Sequence, residues 1–198
     1  MLQSLHRQRF YPGTPTCQAR FVGEGKGEGF NVNVAWDKGY EDTLGCNEYK
    51  HACEEVLLPI ARQFNPDLIM VSCGFDSAIH DQIGQSDLCP LGYYWMTREL
   101  LKICPKMVVV LEGGYNTDYL GEHASGVIKA LQDVEPCDYG EPLQADKDAG
   151  FDCVDDINSD AAEEYAKLDV SETKRQHAKY WDLGVQVEKS FTQVTEQL

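Results

Sequence analysis

Two polar side chains in this sequence stand where an α/β protein does chemistry. Asp76 follows Val71-Ser72-Cys73-Gly74-Phe75, and Tyr115 follows Val110-Leu111-Glu112-Gly113-Gly114. Each lies just past an apolar run and a glycine turn. A carboxylate at such a point can bind a cation, and a phenol can donate a hydrogen bond to developing negative charge. Taken singly, neither residue is diagnostic. A carboxylate in a turn commonly caps a turn or helix, and a tyrosine at a strand end is commonly packed. Their shared arrangement is more telling. Strand, glycine turn, polar residue, helix is how an open α/β sheet builds a site beyond the carboxyl ends of its strands. If the two strands are neighbours, Asp76 and Tyr115 share one crevice.

The elements that must position these residues can be read from apolar patterning. Leu68 to Cys73 is a continuous apolar run, as expected of a central parallel strand covered on both faces, and Lys106 to Leu111 reads the same way. Between them Pro90 opens a helix, where its missing N–H costs little, with Tyr93, Met96, Leu100, Leu101 and Ile103 inward. Asn116 or Thr117 is placed to cap a helix carrying Leu120, Ala124, Val127, Ile128 and Leu131. Upstream, Met1 to Leu5 reads as the tail of a strand, and Phe30 to Val34 alternates as a second one. From Cys46 to Phe64 the apolar positions recur every three or four residues, an amphipathic helix in which Pro59 predicts a kink. Strand and helix in alternation predict an α/β fold on a parallel sheet.

Composition divides the chain in three. Residues 1–134 carry this α/β pattern. Residues 135–169 are rich in Asp and Glu, with Pro136, Pro142 and Gly150 among them, and read as an acidic loop or linker with a helical turn near Ala161 to Leu168. Residues 170–198 include an amphipathic stretch, Lys174 to Val194, expected to pack back on the domain as a helix.

The 17 Lys and Arg against 33 Asp and Glu leave a formal net charge of −16. Direct binding to nucleic acid is excluded by that balance, since phosphate contacts need clustered Lys and Arg. An acidic surface suits basic partners such as lysine-rich tails. The eight cysteines are spread without a CxxC pair, which suits free thiols in a reducing compartment rather than a disulfide framework or a cysteine zinc site. The first seven residues show no signal-peptide core, and no apolar run approaches the length of a membrane span.

Four segments carry a family resemblance. Gly74-Phe75-Asp76-Ser77-Ala78 with Asp81 and Gly84, Leu111-Glu112-Gly113-Gly114-Tyr115-Asn116, Phe10-Tyr11-Pro12-Gly13-Thr14, and the glycine-rich approach Gly25 to Val34 resemble, in order, segments of zinc-dependent histone deacetylases, most of all class II. His177-Ala178-Lys179-Tyr180-Trp181 resembles a C-terminal helix of the same class, which makes His177 structural. The resemblance covers roughly residues 1 to 132, the C-terminal half of the catalytic domain. It implies the arginase/deacetylase-like three-layer fold, a parallel sheet sandwiched by helices, with the N-terminal part missing.

The resemblance also implies a chemistry: zinc-dependent hydrolysis of acetyl-lysine amides. Asp76 falls on the second aspartate ligand of the metal. Tyr115 falls on the tyrosine that hydrogen-bonds the oxyanion. Tyr11 matches an aromatic wall of the substrate tunnel, Ile83 a pocket-lining leucine, and Gly113 and Gly114 the backbone that approaches the substrate. Ser4 and Leu5 match part of a monovalent-cation (K+) site. The other zinc ligands and the paired histidines of the acid–base machinery have no counterpart here. His6, His51, His80, His123 and His177 are scattered, and His80, beside Asp81, reads as a loop residue. The implied partners are acetylated proteins such as histone tails and a co-repressor complex, in the nucleus or cytoplasm. Two other readings stay open: a non-catalytic interaction module that uses its acidic region, and a polyamine deacetylase of the same fold.

Overall fold

Two pairs of parallel strands form the framework of the computed structural model, which describes residues 1–8, 10–37, 43–133 and 157–185. The expected turn at 38–42, the acidic stretch up to residue 156, Cys137, Cys153, and Val187 to Val194 lie outside the described residues. Strand β1 (Leu2–Arg7) pairs with β2 (Asn31–Trp36), and β3 (Ile69–Cys73) pairs with β4 (Met107–Leu111). Both pairings are parallel, so the expected α/β class holds.

β2 is the most deeply buried strand. Val32, Val34 and Trp36 are fully buried, and Asn33 and Ala35 nearly so. Asn33 turns its polar side chain to account by donating to the carbonyls of Thr16 and Gln18, which holds the 14–18 loop over the sheet.

The helix expected over 46–64 is present but broken. It comprises α1 (Cys46–Ala52), a wide π turn at Cys53–Leu57, and α2 (Leu58–Phe64). Pro59 explains the break: it lacks the N–H that would bond the carbonyl of Glu55, and its ring crowds that carbonyl, so the turn before it widens. Helix α3 (Pro90–Ile103) starts with Pro90 in its first turn as expected. Helix α4 (Thr117–Leu131) is capped by Asn116, whose side chain accepts from the Asp118 N–H at 3.3 Å. Such a cap contributes about 1 kcal/mol.

The strand pair beneath the candidate site departs from expectation. Among the described residues, β3 and β4 are covered on one face only. Cys73, Val71 and Val109 join the core with Phe75, Tyr93 and Val127. On the other face Met70 is 70% exposed, Val108 45% and Val110 52%. In the register, Met70 lies beside Val108 and Ser72 beside Val110, so these side chains share one open apolar surface. The apolar run was read correctly as a strand that expects two covers, but the described residues supply one.

The C-terminal region also differs from its expected outline. Helix α5 runs from Glu164 to His177, so it begins within the stretch read as linker. Residues 157–163 are docked as well: Ile157 and Ala162 are buried, Lys50 donates to the Ile157 carbonyl at 2.6 Å, and the Glu163 N–H donates to Glu48 at 3.0 Å. Helix α5 lies on β2, where Thr173 donates to the Asn33 carbonyl at 3.0 Å. The acidic character of this region conceals the buried stripe Ala166, Val170, Thr173 and His177. Past the helix, Trp181 donates from Nε1 to the Gly29 carbonyl at 2.8 Å, and Tyr180 bonds Glu28.

Candidate functional site

The parallel pairing of β3 and β4 carries their two glycine turns to the same end of the sheet. The ladder continues past the strands: the Glu112 N–H donates to the Cys73 carbonyl at 3.0 Å, and the Phe75 N–H to the Gly113 carbonyl at 3.1 Å. Asp76 then sits in a short 3-10 turn, Phe75–Ser77, whose Phe75 ring is buried against Tyr93 at 4.9 Å between centroids. Tyr93 and Ser77 share a hydroxyl contact of 2.8 Å, and Tyr93 also donates to the Gly74 carbonyl at 3.3 Å. The shoulder that carries Asp76 is thus fixed from below.

The facing turn needs its glycines. Gly113 and Gly114 have φ of +101° and +111°, where any side chain is strained. A Cβ on Gly113 would stand 3.5 Å from the Asp76 carboxyl carbon, so this backbone passes directly against that carboxylate. A Cβ on Gly114 would stand 2.8 Å from the Phe75 Cβ. Gly84 approaches from a third direction, and a Cβ there would fall 1.5 Å from the Asp76 carbonyl oxygen.

One residue joins the loops, and sequence reasoning quoted it without giving it a role. The Asp81 carboxylate is 5% exposed. Its Oδ1 accepts from the N–H groups of Ile83 at 2.8 Å and Gly84 at 3.0 Å. Its Oδ2 accepts from those of Tyr115 at 2.7 Å and Asn116 at 3.3 Å. Burial pushes the Asp81 carboxyl up, but the four hydrogen bonds together outweigh it and hold its pKa below the ordinary value. Asp76 has no such set of donors. Burial raises its pKa, the Asp81 charge adds to the rise, and the N–H groups of Asp76 and Ser77 oppose it.

The remaining expected residues fall around this crevice or away from it. Ile83 is in the Asp81 loop with its side chain half exposed, and Tyr115 is 60% exposed. Tyr11 is 82% exposed in the Phe10–Thr14 loop. A small cavity in that region is lined by Gln8, Gly13, Thr14, Pro15, Cys17 and Gln18, and neither Tyr11 nor Asp76 lines it. Ser4 and Leu5 lie on β1, where the Ser4 hydroxyl is 2.8 Å from Nδ1 of His6 and the other His6 nitrogen is 2.7 Å from the Cys17 carbonyl oxygen. His80 has φ of +71°, packs its ring 4.5 Å from that of Tyr119, and receives Asn116 Nδ2 on its carbonyl at 2.8 Å. His123 and His177 are buried on α4 and α5. Cys73, next to the Asp76 turn, has its thiol pushed up to about 11 by burial, so it is protonated near neutral pH and is no nucleophile.

No group of three or more His, Cys, Asp or Glu side chains among the described residues is placed to hold a metal ion. Catalytic zinc takes three protein ligands and keeps one position open. The donors among the described residues alone therefore do not fit zinc.

The histone deacetylase domain family matches residues 1–131 of the 198. This chain belongs to that family. Histone deacetylase HDA1 of Saccharomyces cerevisiae is 41% identical over 158 residues, which cover 78% of this chain and 22% of that protein. The structure of the histone deacetylase Clr3, a Schizosaccharomyces pombe protein, superposes with a TM-score of 0.77 at 32% identity, covering 96% of this chain and 30% of that one. The HD domain of HDA15 does so with a TM-score of 0.73 at 34% identity, covering 91% of this chain and 44% of that one. These are class II-like deacetylases, and the chain shares their α/β fold over part of the domain. It spans less than half of each relative's length. The open apolar face of β3 and β4 accords with that partial span, because a strand patterned for two covers has one among the described residues. No helix among the described residues is long and apolar enough to cross a membrane.

Proposed function

We propose that this chain is the part of a zinc-dependent protein-lysine deacetylase domain that supplies one metal ligand, Asp76, and the oxyanion donor, Tyr115. The observation that supports this reading most is the meeting of the two turns: the backbone at Gly113, two residues before Tyr115, passes against the Asp76 carboxylate. Zinc, where a full set of ligands holds it, polarises a carbonyl and makes a bound water nucleophilic. The chain's own contribution is positional. Asp76 offers a half-buried carboxylate on a rigid shoulder. Tyr115 offers a hydroxyl on an anchored backbone, and one such donor is worth roughly 3 kcal/mol of transition-state stabilisation. Gly113 and Gly114 leave room for the amide to approach. The apolar surfaces of Tyr11 and Ile83 suit the butyl stem of a lysine. Ser4 and Leu5 would contribute to a K+ site. The acidic charge suits acetylated, lysine-rich partners such as histone tails, within a co-repressor complex in the nucleus or cytoplasm.

The experiment is to tag the gene at its 3′ end, recover the protein from its own cells, and measure zinc content and acetyl-lysine hydrolysis. Asp76→Asn is expected to remove zinc and activity together. Tyr115→Phe is expected to keep zinc and lose most of the rate. Full activity in both variants would overturn the assignment.

A second reading has one observation in its favour. No group of three or more potential ligands forms around Asp76 among the described residues, so a polypeptide limited to these 198 residues would act as a non-catalytic interaction module. A recovered mass of 22.2 kDa with no bound zinc would favour it.

A further inference from the structure

We infer that Asp81 is a positioning residue for Tyr115: its buried carboxylate staples the Asp76 loop to the backbone of the Tyr115 turn. The inference rests on the proposed role of Tyr115 for its functional consequence, but not for its geometry.

The geometry begins with the two glycines. Gly113 and Gly114 both sit at positive φ, so the chain is at its most permissive immediately before Tyr115. The local backbone has no intrinsic preference that would fix where the Tyr115 Cα lies. Past the Gly113 carbonyl, which the Phe75 N–H holds, the next anchored group is the Tyr115 N–H, held at 2.7 Å by Asp81 Oδ2. The next N–H, of Asn116, goes to the same oxygen at 3.3 Å. The opposite oxygen binds Ile83 and Gly84 in its own loop, and so ties the clamp to the segment that presses on the Asp76 carbonyl. Two further contacts brace it: Asn116 Nδ2 donates to the His80 carbonyl at 2.8 Å, and Arg7 from β1 donates to the Gly84 carbonyl at 2.7 Å.

A carboxylate is the group this arrangement demands. Four backbone donors converge on one side chain, two on each oxygen, and a carboxylate accepts at both. Asparagine has the same shape but one oxygen. Its NH2 would face a pair of N–H donors whichever way it turned. Asp81→Asn therefore removes half of the clamp without opening a cavity, which separates its anchoring role from mere space-filling. Asp81 has no place among the reacting groups: its oxygens are occupied by backbone donors, and it acts through Tyr115.

Two readouts test this. In the 15N-labelled chain, amide hydrogen exchange at Tyr115 and Asn116, or at Ile83 and Gly84, is expected to quicken at least about tenfold in Asp81→Asn, while the β3–β4 ladder amides change less than about twofold. Unchanged exchange at all four amides would overturn the inference. In the tagged protein recovered from cells, Asp81→Asn is expected to lower kcat at least about tenfold with KM and zinc content retained, and to cost less than about threefold when added to Tyr115→Phe. An equal loss in both backgrounds, or loss of zinc, would overturn it. If Asp81→Asn does not fold, an ester at the Tyr115 backbone nitrogen, made with the α-hydroxy analogue of tyrosine, deletes the one N–H and leaves every side chain, and the same kcat and KM criteria decide. Should Tyr115→Phe leave the rate unchanged, the oxyanion assignment fails instead, and the exchange data still decide the clamp.

Discussion

Acidification should loosen this protein, and His177 contributes a share that can be isolated. It closes α5, is fully buried, and has no hydrogen-bond partner at either ring nitrogen among the described residues. Burial, with a smaller contribution from the Lys179 charge, lowers its pKa to about 4 from an ordinary 6.5. The folded-state value lies below the unfolded one, so the unfolded chain takes up the proton first as pH falls. The stability that rests on neutral His177 is thus complete above about pH 6.5 and is lost progressively towards pH 4. At about 1.4 kcal/mol per pH unit, the gap amounts to about 3 kcal/mol, of which about 2.5 is gone by pH 4.5. His6 and His51 are lowered by burial in the same direction, so the native protein alone does not isolate the effect. His177→Leu removes the titrating group at similar volume. Urea unfolding followed by tryptophan fluorescence at pH 7.5 and 4.5 gives the comparison. The native chain should lose about 2.5 kcal/mol more than the variant over that interval, and a difference below about 0.5 kcal/mol would refute the reasoning.

Two further predictions concern the site itself. Gly84→Ala puts a Cβ where the Asp76 carbonyl oxygen now lies, so the loops must part by about 1.5 Å or more; unfolding should cost about 1–3 kcal/mol less, and deacetylation by the recovered protein should fall about a hundredfold, with a near-native rate as the contrary result. Burial pushes the Cys53 thiol up to about 12 and that of Cys73 to about 11, so iodoacetamide at pH 7.5 should label the less buried Cys17 first and reach those two only on unfolding, as read by peptide mass spectrometry. Early labelling of Cys73 would mean that the Asp76 shoulder opens in the native state.

The strands were legible because their signal is local. Leu68 to Cys73 and Lys106 to Leu111 are apolar runs of strand length, and each is a strand. Pro90 and Asn116 marked helix starts for reasons confined to one turn of backbone. The number of covers on β3 was not legible, because an apolar run records what the strand expects and not what the described residues supply. Helix α5 was misjudged at its start because acidic residues dominate the composition of the region, while a few buried positions decide the packing. Gly84 and Asp81 were visible only as letters in a motif. Gly84 lies eight residues from Asp76, but its close approach depends on how the loop folds back, and Asp81 lies 34 residues from Tyr115, beyond any local window. The meeting of the two glycine turns follows from the sequence because parallel neighbours must bring equivalent ends together.

The central claim is that Asp76 holds metal while Tyr115 serves the reaction without holding it. Zinc content measured beside acetyl-lysine hydrolysis, on the tagged protein recovered from its own cells, separates the two roles in one preparation. The account predicts about one zinc per native molecule, none in Asp76→Asn, and a full complement with a rate lowered about a hundredfold in Tyr115→Phe. Zinc retained in Asp76→Asn, or an undiminished rate in Tyr115→Phe, would contradict it.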